Sequence, residues 1–196
     1  MNYLAHIYLS FDDDDITVGN YMADAVKGKQ YKNYPDRIQK GILVHREIDS
    51  YTDQHEIVRS GKRRLSEYRH YSGVIMDVYY DHFLAKNWSE YSEIDLESYT
   101  KAKYELLRKN YNLLPSRIQY LFEYMSEGNW LYNYQFLEGV DFALSGMAQR
   151  TSFKSGMERA IENLKDDYEA FEAEFHMFFG QITNHIHNFT QQLNHQ

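Results

Sequence analysis

The sequence contains no cysteine in its 196 residues. This absence excludes disulfide bonds, metal sites built from thiolates and a cysteine nucleophile. A bound metal ion would therefore depend on histidine, aspartate or glutamate side chains.

Proline is also scarce, because Pro35 and Pro115 are the only two in the chain. Since proline breaks helices and the β-branched residues that favour strands are few, the composition predicts long uninterrupted helices. It excludes an all-β or collagen-like fold. No linker, repeat or low-complexity stretch divides the chain, so we expect an all-α fold in which residues 1–196 form a single-domain helical bundle.

Long hydrophobic runs are missing as well. No apolar stretch reaches the roughly 18 residues that a membrane-spanning helix needs. Residues 1–15 lack the basic stretch and the small-residue cleavage site of a secretory signal. We therefore expect a soluble, cytoplasmic protein with no membrane partner.

Basic residues are outnumbered, with 21 Lys and Arg against 29 Asp and Glu and a net charge of −8. This balance disfavours a nucleic-acid partner, because a polyanion requires a basic surface. Residues 27–70 are the exception, with 11 basic and 6 acidic side chains. Such a segment can dock an acidic partner, although the same charges also suit a solvated helix face.

Apolar residues recur with helical spacing along most of the chain. Residues 3–9 suit either a strand or a helix, and residues 29–35 are expected to form a loop. Helices are predicted at about 18–27, 36–53, 54–69, 73–87, 97–112, 116–127, 133–149, 153–178 and 181–193. The helix at 73–87 is apolar on all sides, which predicts a central, buried position. Three histidines near the end are expected on the surface: His185, His187 and His195.

This most apolar helix also carries Asp77, Asp81 and His82. Asp77 and Asp81 are four residues apart, so they project from the same helix face. Two carboxylates that face one buried site repel each other and need cations, a shared proton or a metal ion. A metal ion would satisfy both carboxylates at once.

Three other segments place metal-binding residue types on apolar faces. His45 and Asp49 share the four-residue spacing, whereas Asp24 and His6 each lie in a stretch of apolar or small residues. Imidazole and carboxylate ligands favour Mn²⁺, Mg²⁺ or Fe²⁺. The alternative is a set of buried ion pairs in which arginines neutralise the carboxylates. The candidate arginines are Arg46, Arg59 and Arg69.

Five segments together resemble the acyl carrier protein phosphodiesterase family, a divergent branch of the HD phosphohydrolases that is also called acyl carrier protein hydrolase. They are MNYLAHIYLS at 1–10, GNYMADAVKG at 19–28, GILVHREIDSYTD at 41–53, GVIMDVYYDHFLAKNW at 73–88 and SGMAQR at 145–150. Each segment is short, but their order follows the family across most of the chain. The resemblance implies an all-helical, HD-domain-like fold and a divalent metal, with Mn²⁺ expected and Mg²⁺ or Fe²⁺ as alternatives.

The resemblance also implies hydrolysis of the phosphodiester that joins 4′-phosphopantetheine to a serine of acyl carrier protein. The matching family positions are His6, Asp24, His45, Asp49, Asp77, Asp81 and His82. Of these, the expected metal ligands are His6, Asp24, Asp77 and Asp81. Asp49 would orient His45 or the attacking water, and His45 or His82 would act as the general acid.

The implied protein substrate is small and acidic, so basic residues that flank the candidate ligands are expected to contact it. These residues are Arg46, Arg59, Lys62, Arg63 and Arg64. Arg150 is expected to reach the phosphate.

Two other functions remain open at this point. An HD-type phosphohydrolase that acts on a nucleotide or a small phosphate ester would share the metal but not the protein substrate. A non-enzymatic helical binding module would contain the same buried residues for structural reasons and would hold no stoichiometric divalent ion.

Overall fold

A computed structural model describes residues 1–194, so His195 lies outside the described part of the chain. The α-helices are α1 Tyr3–Tyr8, α2 Asp14–Met22, α3 Asp36–Gln54, α4 Glu56–Arg64, α5 Ser72–Lys86, α6 Leu96–Lys109, α7 Ser116–Glu127, α8 Trp130–Asn133, α9 Leu137–Gln149, α10 Ala160–Asp166 and α11 Tyr168–Asn194. No strand occurs within residues 1–194, which confirms the all-α prediction. Within the same residues, no helix is both long enough and apolar enough to cross a membrane.

Helix α5 lies at the centre of the molecule, as its all-round apolar pattern predicted. Ile75 and Tyr79 are fully buried on one side of the helix, Met76 and Tyr80 on a second side and Val78 on a third. The helix packs against α1, α4, α9 and α11. A polar group on any of these covered sides must find a partner inside the protein.

Helix α11 differs from the prediction of two helices divided near residue 180. Phe175, Phe179, Ile182 and Ile186 form one buried stripe at helical spacing that continues past Gly180. Because this stripe packs as a unit against the core, the helix is not interrupted at the glycine. The predicted start at residue 153 was also wrong, since the chain between α9 and α10 is not α-helical.

Other helix ends lie a few residues from their predicted positions. Helix α2 begins earlier than expected because the carboxylate of Asp13 caps it by accepting from the backbone N–H of Ile16 at 3.0 Å. The predicted loop at 29–35 contains a 3₁₀ turn at Gly28–Asn33. Helix α4 ends at Arg64, and a second 3₁₀ turn follows at Ser66–Tyr71.

Two glycines allow α2 and α3 to cross at very short distance. A Cβ atom at Gly19 would lie 2.2 Å from the carbonyl oxygen of Ile38, and one at Gly41 would lie 2.4 Å from that of Ile16. Only glycine fits at both positions, because these neighbours are backbone atoms that cannot move aside. The close crossing brings Asn20 of α2 beside His45 of α3.

Helix α1 is short and is held at its first turn by α5. The two carboxylate oxygens of Asp81 accept from the backbone N–H groups of Leu4 and Ala5, at 2.7 and 3.1 Å. These N–H groups have no partner within the helix, so the carboxylate satisfies donors that would otherwise be buried and unpaired. The segment 3–9, which suited either a strand or a helix, is therefore helical over Tyr3–Tyr8. The contact with Asp81 also sets the position of His6.

Candidate active site

A cleft of about 490 Å³ opens where α1, α3 and α5 meet the 3₁₀ turn Ala23–Ala25 that follows α2. Five of the ionisable residues that the sequence analysis selected line it. They are His6, Asp24, His45, Asp49 and Asp77. Asp53, Tyr3, Arg117 and Met147 also line the cleft.

Two histidines and one aspartate form the centre of the cleft. The His6 and His45 rings are stacked with their centres 4.1 Å apart. Asp49 Oδ1 lies 3.3 Å from His6 Nε2, and Asp49 Oδ2 lies 3.2 Å from His45 Nε2. One further carboxylate is close, since Asp24 Oδ1 lies 3.3 Å from His45 Nε2. The fold thus brings together residues that are far apart in sequence.

Asn20 determines which nitrogen of each histidine carries a proton. Its amide nitrogen donates to His6 O at 2.7 Å and Ser10 Oγ at 3.1 Å, so its Oδ1 is free to accept. His6 Nδ1 lies 2.8 Å from Asn20 Oδ1, and His45 Nδ1 lies 2.9 Å from Asn20 O. Both acceptors are oxygens without a hydrogen, so both Nδ1 atoms carry the proton. The Nε2 lone pairs then face the carboxylates.

This arrangement requires a cation in the cleft. A neutral Nε2 and a carboxylate oxygen about 3.3 Å apart are two acceptors with no hydrogen between them. Either a proton or a metal ion must lie between the nitrogens and the carboxylates. A metal ion at this position would reproduce a common type of metal site, in which each histidine ligand donates its other N–H to a protein oxygen.

Without a metal, the proton is held mainly by His45. Burial lowers the pKa of His45, but the carboxylates of Asp24 and Asp49 outweigh that effect and raise it to about 9. Burial and the neighbouring His45 lower the pKa of His6. Burial raises the pKa of Asp49, but the two histidines outweigh it and lower that pKa. The carboxylates therefore stay ionised and attract positive charge.

Three of these side chains are close enough together to hold one metal ion. His6, His45 and Asp49 each offer a ligand atom, and the three atoms all lie within 4.8 Å of one another. Donor atoms bound to one ion by bonds of about 2.0–2.2 Å are at most about 4.4 Å apart. The distances of 3.3 and 3.2 Å from the Asp49 oxygens to the two Nε2 atoms lie within this limit. Asp24 does not belong to this group of three.

Asp77 and Asp81 project toward the same region, but their partners belong to the N-terminal segment. Asp77 lines the cleft, and its Oδ1 lies 2.9 Å from the amino group of Met1. Asp81 is completely buried under α1, and burial raises its pKa to about 7 despite the two N–H donors. The structure therefore does not bring Asp81 to His6, His45 and Asp49. The arginines considered as ion-pair partners do not contact either carboxylate.

His82 lies away from the cleft. Its Nδ1 is 2.7 Å from the carbonyl oxygen of Tyr134, and its Nε2 is 2.7 Å from the hydroxyl of Tyr168. The ring is buried, with 1% of the residue exposed. Because both nitrogens are occupied by internal partners, the structure gives His82 a place in the core and not in the cleft.

The expected carrier-binding residues divide into two groups. Arg46 donates to the carbonyl oxygens of Val26 and Gly28, and Arg64 forms a two-pronged ion pair with Glu174 at 2.7 and 2.8 Å. The remaining three line a shallow basic groove on the surface together with Arg69, which was not expected to contact the carrier, and we define the groove by these four residues. These are Arg59, Lys62, Arg63 and Arg69.

Arg150 does not line the cleft. Its Nε donates to the carbonyl oxygen of Gly146 at 3.0 Å, and its guanidinium lies 5.9 Å from the ring centre of Trp130. The positive charge that faces the cleft belongs instead to Arg117.

Asn20 and Arg117 were not predicted from the sequence. Asn20 was detectable in principle, because it is a polar residue in the same stretch of apolar and small residues, GNYMADAV, that carries Asp24. Arg117 carries no such signal. Its segment is remote from the other cleft residues in sequence, and only the packing of α7 brings it there.

Comparison with known proteins places the chain in one family. A family model described as acyl carrier protein phosphodiesterase matches residues 1–182. The chain is 30% identical to the acyl carrier protein phosphodiesterase of Serratia proteamaculans, over 93% of this chain and 95% of that protein. It is 31% identical to the enzyme of that name from an Enterobacter species, with the same coverage. For the Photorhabdus laumondii protein, identity is 29% and coverage is 96% of both chains.

No solved structure matches the chain significantly, so the resemblance to the HD fold stays a prediction. The match of the family model spans the helices that build the cleft and all of its lining residues. The chain belongs to the acyl carrier protein phosphodiesterase family.

Proposed function

We propose that this chain is a metal-dependent phosphodiesterase that removes 4′-phosphopantetheine from holo-acyl carrier protein. Family membership supports the reaction and the substrate. The observation that carries the metal dependence is the orientation of His6 and His45, whose Nδ1–H groups bond to Asn20 while both Nε2 atoms converge on Asp49. We further propose that residues 1–196 act as one domain in the cytoplasm.

The proposed metal ligands are His6, His45 and Asp49. Two imidazole nitrogens and a carboxylate suit Mn²⁺ or Fe²⁺ better than Mg²⁺, which prefers oxygen ligands. We propose Mn²⁺ as the working ion. When bound, it supplies charge neutralisation at the phosphoryl oxygens and makes a water molecule more acidic.

Asp24 is in place to move the proton of the attacking water. Its side chain is 61% exposed, so it reaches solvent, and it lies beside His45 at the edge of the proposed ligand group. In the reaction the water oxygen bonds to phosphorus, and the bond from phosphorus to the serine oxygen breaks. Asp24 accepts the proton from the water and passes it to solvent, and a proton from solvent neutralises the departing serine oxygen on the opposite side of phosphorus. The products are apo carrier protein and free 4′-phosphopantetheine.

The basic groove is the proposed docking surface for the carrier protein. Arg59, Arg63 and Arg69 are exposed and form no ion pair with another described residue. Lys62 connects the groove to the cleft, because its Nζ lies 2.7 Å from Oδ1 of Asp53. A carrier protein with acidic side chains can therefore be held next to the cleft that must receive its phosphopantetheine.

The docking proposal is tested with the double variant Arg59→Glu/Arg63→Glu. We expect KM for the carrier protein to rise about tenfold or more at low salt, with kcat and metal content unchanged, because these charges act on encounter. The matched control is Lys101→Glu/Lys109→Glu, which makes the same change of charge on the exposed face of α6. An unchanged KM in the groove variant would contradict the docking surface.

The reaction itself is tested by intact mass spectrometry of holo-acyl carrier protein incubated with protein purified without an affinity tag. We expect the carrier to lose the mass of its prosthetic group when Mn²⁺ is present, and to stay intact with EDTA or with the Asp49→Asn variant. A matched control is Asp166→Asn, an exposed residue in α10. Turnover of nucleotides without turnover of the carrier would favour the small-substrate phosphohydrolase, and absence of a stoichiometric ion would favour the binding module.

A further inference from the structure

The charges that line the cleft do not suit an anionic substrate by themselves. Four carboxylates face it, from Asp24, Asp49, Asp53 and Asp77. A phosphodiester carries a negative charge, so these groups repel it as it approaches. Lys62 pairs with Asp53, and the amino group of Met1 pairs with Asp77. A single divalent ion held by His6, His45 and Asp49 then balances only the other two carboxylates, which leaves no net positive charge for the phosphate.

Arg117 is the one arginine or lysine among the described residues that line the cleft. Its side chain is exposed, and it forms no hydrogen bond or ion pair with another described residue. The amino group of Met1 is the other positive charge at the cleft, but it is already bonded to Asp77. The guanidinium of Arg117 is therefore available to an incoming anion.

The position of Arg117 is fixed by the packing of α7. Arg117 is the second residue of that helix, directly after Pro115 and Ser116, and its neighbour Ile118 is buried with 2% exposed. Tyr3 and Arg117 line the same cleft, and the charge of the guanidinium acts on the Tyr3 hydroxyl. Burial and Asp24 raise the pKa of Tyr3, whereas Arg117 and, less strongly, Arg150 lower it.

We infer that Arg117 binds the non-bridging oxygens of the phosphate group of the substrate. This inference rests on the proposed phosphodiesterase function. A guanidinium offers parallel N–H donors that match two phosphate oxygens, which a single ammonium group does not. Arg117 lies on a helix, not on a mobile loop, so it holds the phosphate against the ligand group at a set position.

The inference is tested with Arg117→Gln and Arg117→Lys. For Arg117→Gln, we expect kcat/KM on holo-acyl carrier protein to fall about 100-fold, as is typical for removal of a charged donor from a reacting group. Arg117→Lys should recover only part of this loss, because it restores the charge without the paired donors. Metal content and thermal unfolding should stay as in the wild type.

A second measurement does not depend on turnover. Binding of inorganic phosphate, followed by calorimetry with and without Mn²⁺, should weaken about tenfold in Arg117→Gln. The matched control is Arg108→Gln. Arg108 contacts α7 through Ser126 and lies 5.0 Å from the ring centre of Phe122, but it does not line the cleft. In this control, both kcat/KM on holo-acyl carrier protein and the affinity for phosphate should stay at the wild-type level.

The outcomes separate the inference from the proposed function. If the wild type hydrolyses the carrier and Arg117→Gln keeps both its rate and its phosphate affinity, Arg117 is not the phosphate-binding residue and the function stands. If the wild type leaves the carrier intact, the proposed function fails, and the phosphate measurement still decides the role of Arg117. Equal losses in Arg108→Gln and Arg117→Gln would assign the effect to the packing of α7 and overturn the inference.

Discussion

Asn20 gives the sharpest test of the proposed metal site, because it contacts both histidines without being a ligand itself. In Asn20→Ala the side-chain bonds to His6 Nδ1, His6 O and Ser10 Oγ are lost. The bond from His45 Nδ1 to the backbone oxygen of residue 20 does not involve the substituted side chain. The substitution should therefore release His6 and leave His45 largely in place.

The magnitude follows from the group left without a partner. Asn20 is fully buried, so the Nδ1–H group of His6 loses its partner in a place that water does not reach. The carbonyl oxygen of His6 keeps the bond from Ser10 Oγ at 3.0 Å. At about 1–3 kcal/mol for one unsatisfied group, we expect the free energy of unfolding to fall by about 1–3 kcal/mol. Loss of a residue that orients a metal ligand typically lowers metal affinity by about 10–100-fold.

The assay is a Mn²⁺ titration of the metal-free protein together with urea unfolding. The control is Ser10→Ala, which removes one partner of Asn20 without touching an imidazole nitrogen. We expect it to lower stability but to keep most of the metal affinity. Wild-type affinity for Mn²⁺ in Asn20→Ala would refute the reasoning, because the histidines would then be held by something else.

Two further predictions concern the fold around the site. Gly41→Ala places a Cβ atom 2.4 Å from Ile16 O and 2.9 Å from Gly19 Cα. Urea unfolding should therefore show that the free energy of unfolding falls by about 3 kcal/mol. Mn²⁺ binding should also weaken, because α2 and α3 move apart. Gly180→Ala is the control, because a Cβ atom at this position meets nothing within 4 Å. It should stabilise α11 by about 0.5–1 kcal/mol. Equal effects of the two substitutions on stability would contradict the close packing of α2 against α3. For Asp81, the folded pKa of about 7 lies above the unfolded value of about 3.9. The folded state therefore binds more protons between these values, and the stability of the wild type relative to Asp81→Asn should fall as pH rises from 4 to 7. Parallel profiles of unfolding free energy against pH would contradict this.

The class of the fold could be predicted from the sequence. The scarcity of proline and the helical spacing of apolar residues predicted the all-α architecture, and the all-round apolar pattern of residues 73–87 predicted the central helix. His6, Asp24, His45 and Asp49 were selected because each carries a polar group in an apolar stretch or on an apolar helix face, and the structure brings the four side chains to one cleft. Such residues can be selected from the sequence because helical periodicity and the cost of burying a charge are local properties of the chain.

Which polar residues share one site depends on how the helices pack. Asp81 and His82 have the same sequence signal as His45 and Asp49. An ionisable residue in an apolar segment gives this signal whether it binds a metal ion or a backbone group. The partners come from other parts of the chain. A backbone N–H group of α1 bonds to Asp81, and the carbonyl oxygen of Tyr134 bonds to His82. For the histidines of the cleft, the partner is Asn20 of α2. Arg117 joins the cleft through the packing of α7 alone. Hydrogen-bond partners distant in the chain depend on how helices cross, and that crossing is set by contacts such as Gly19 against Gly41, which no local pattern encodes.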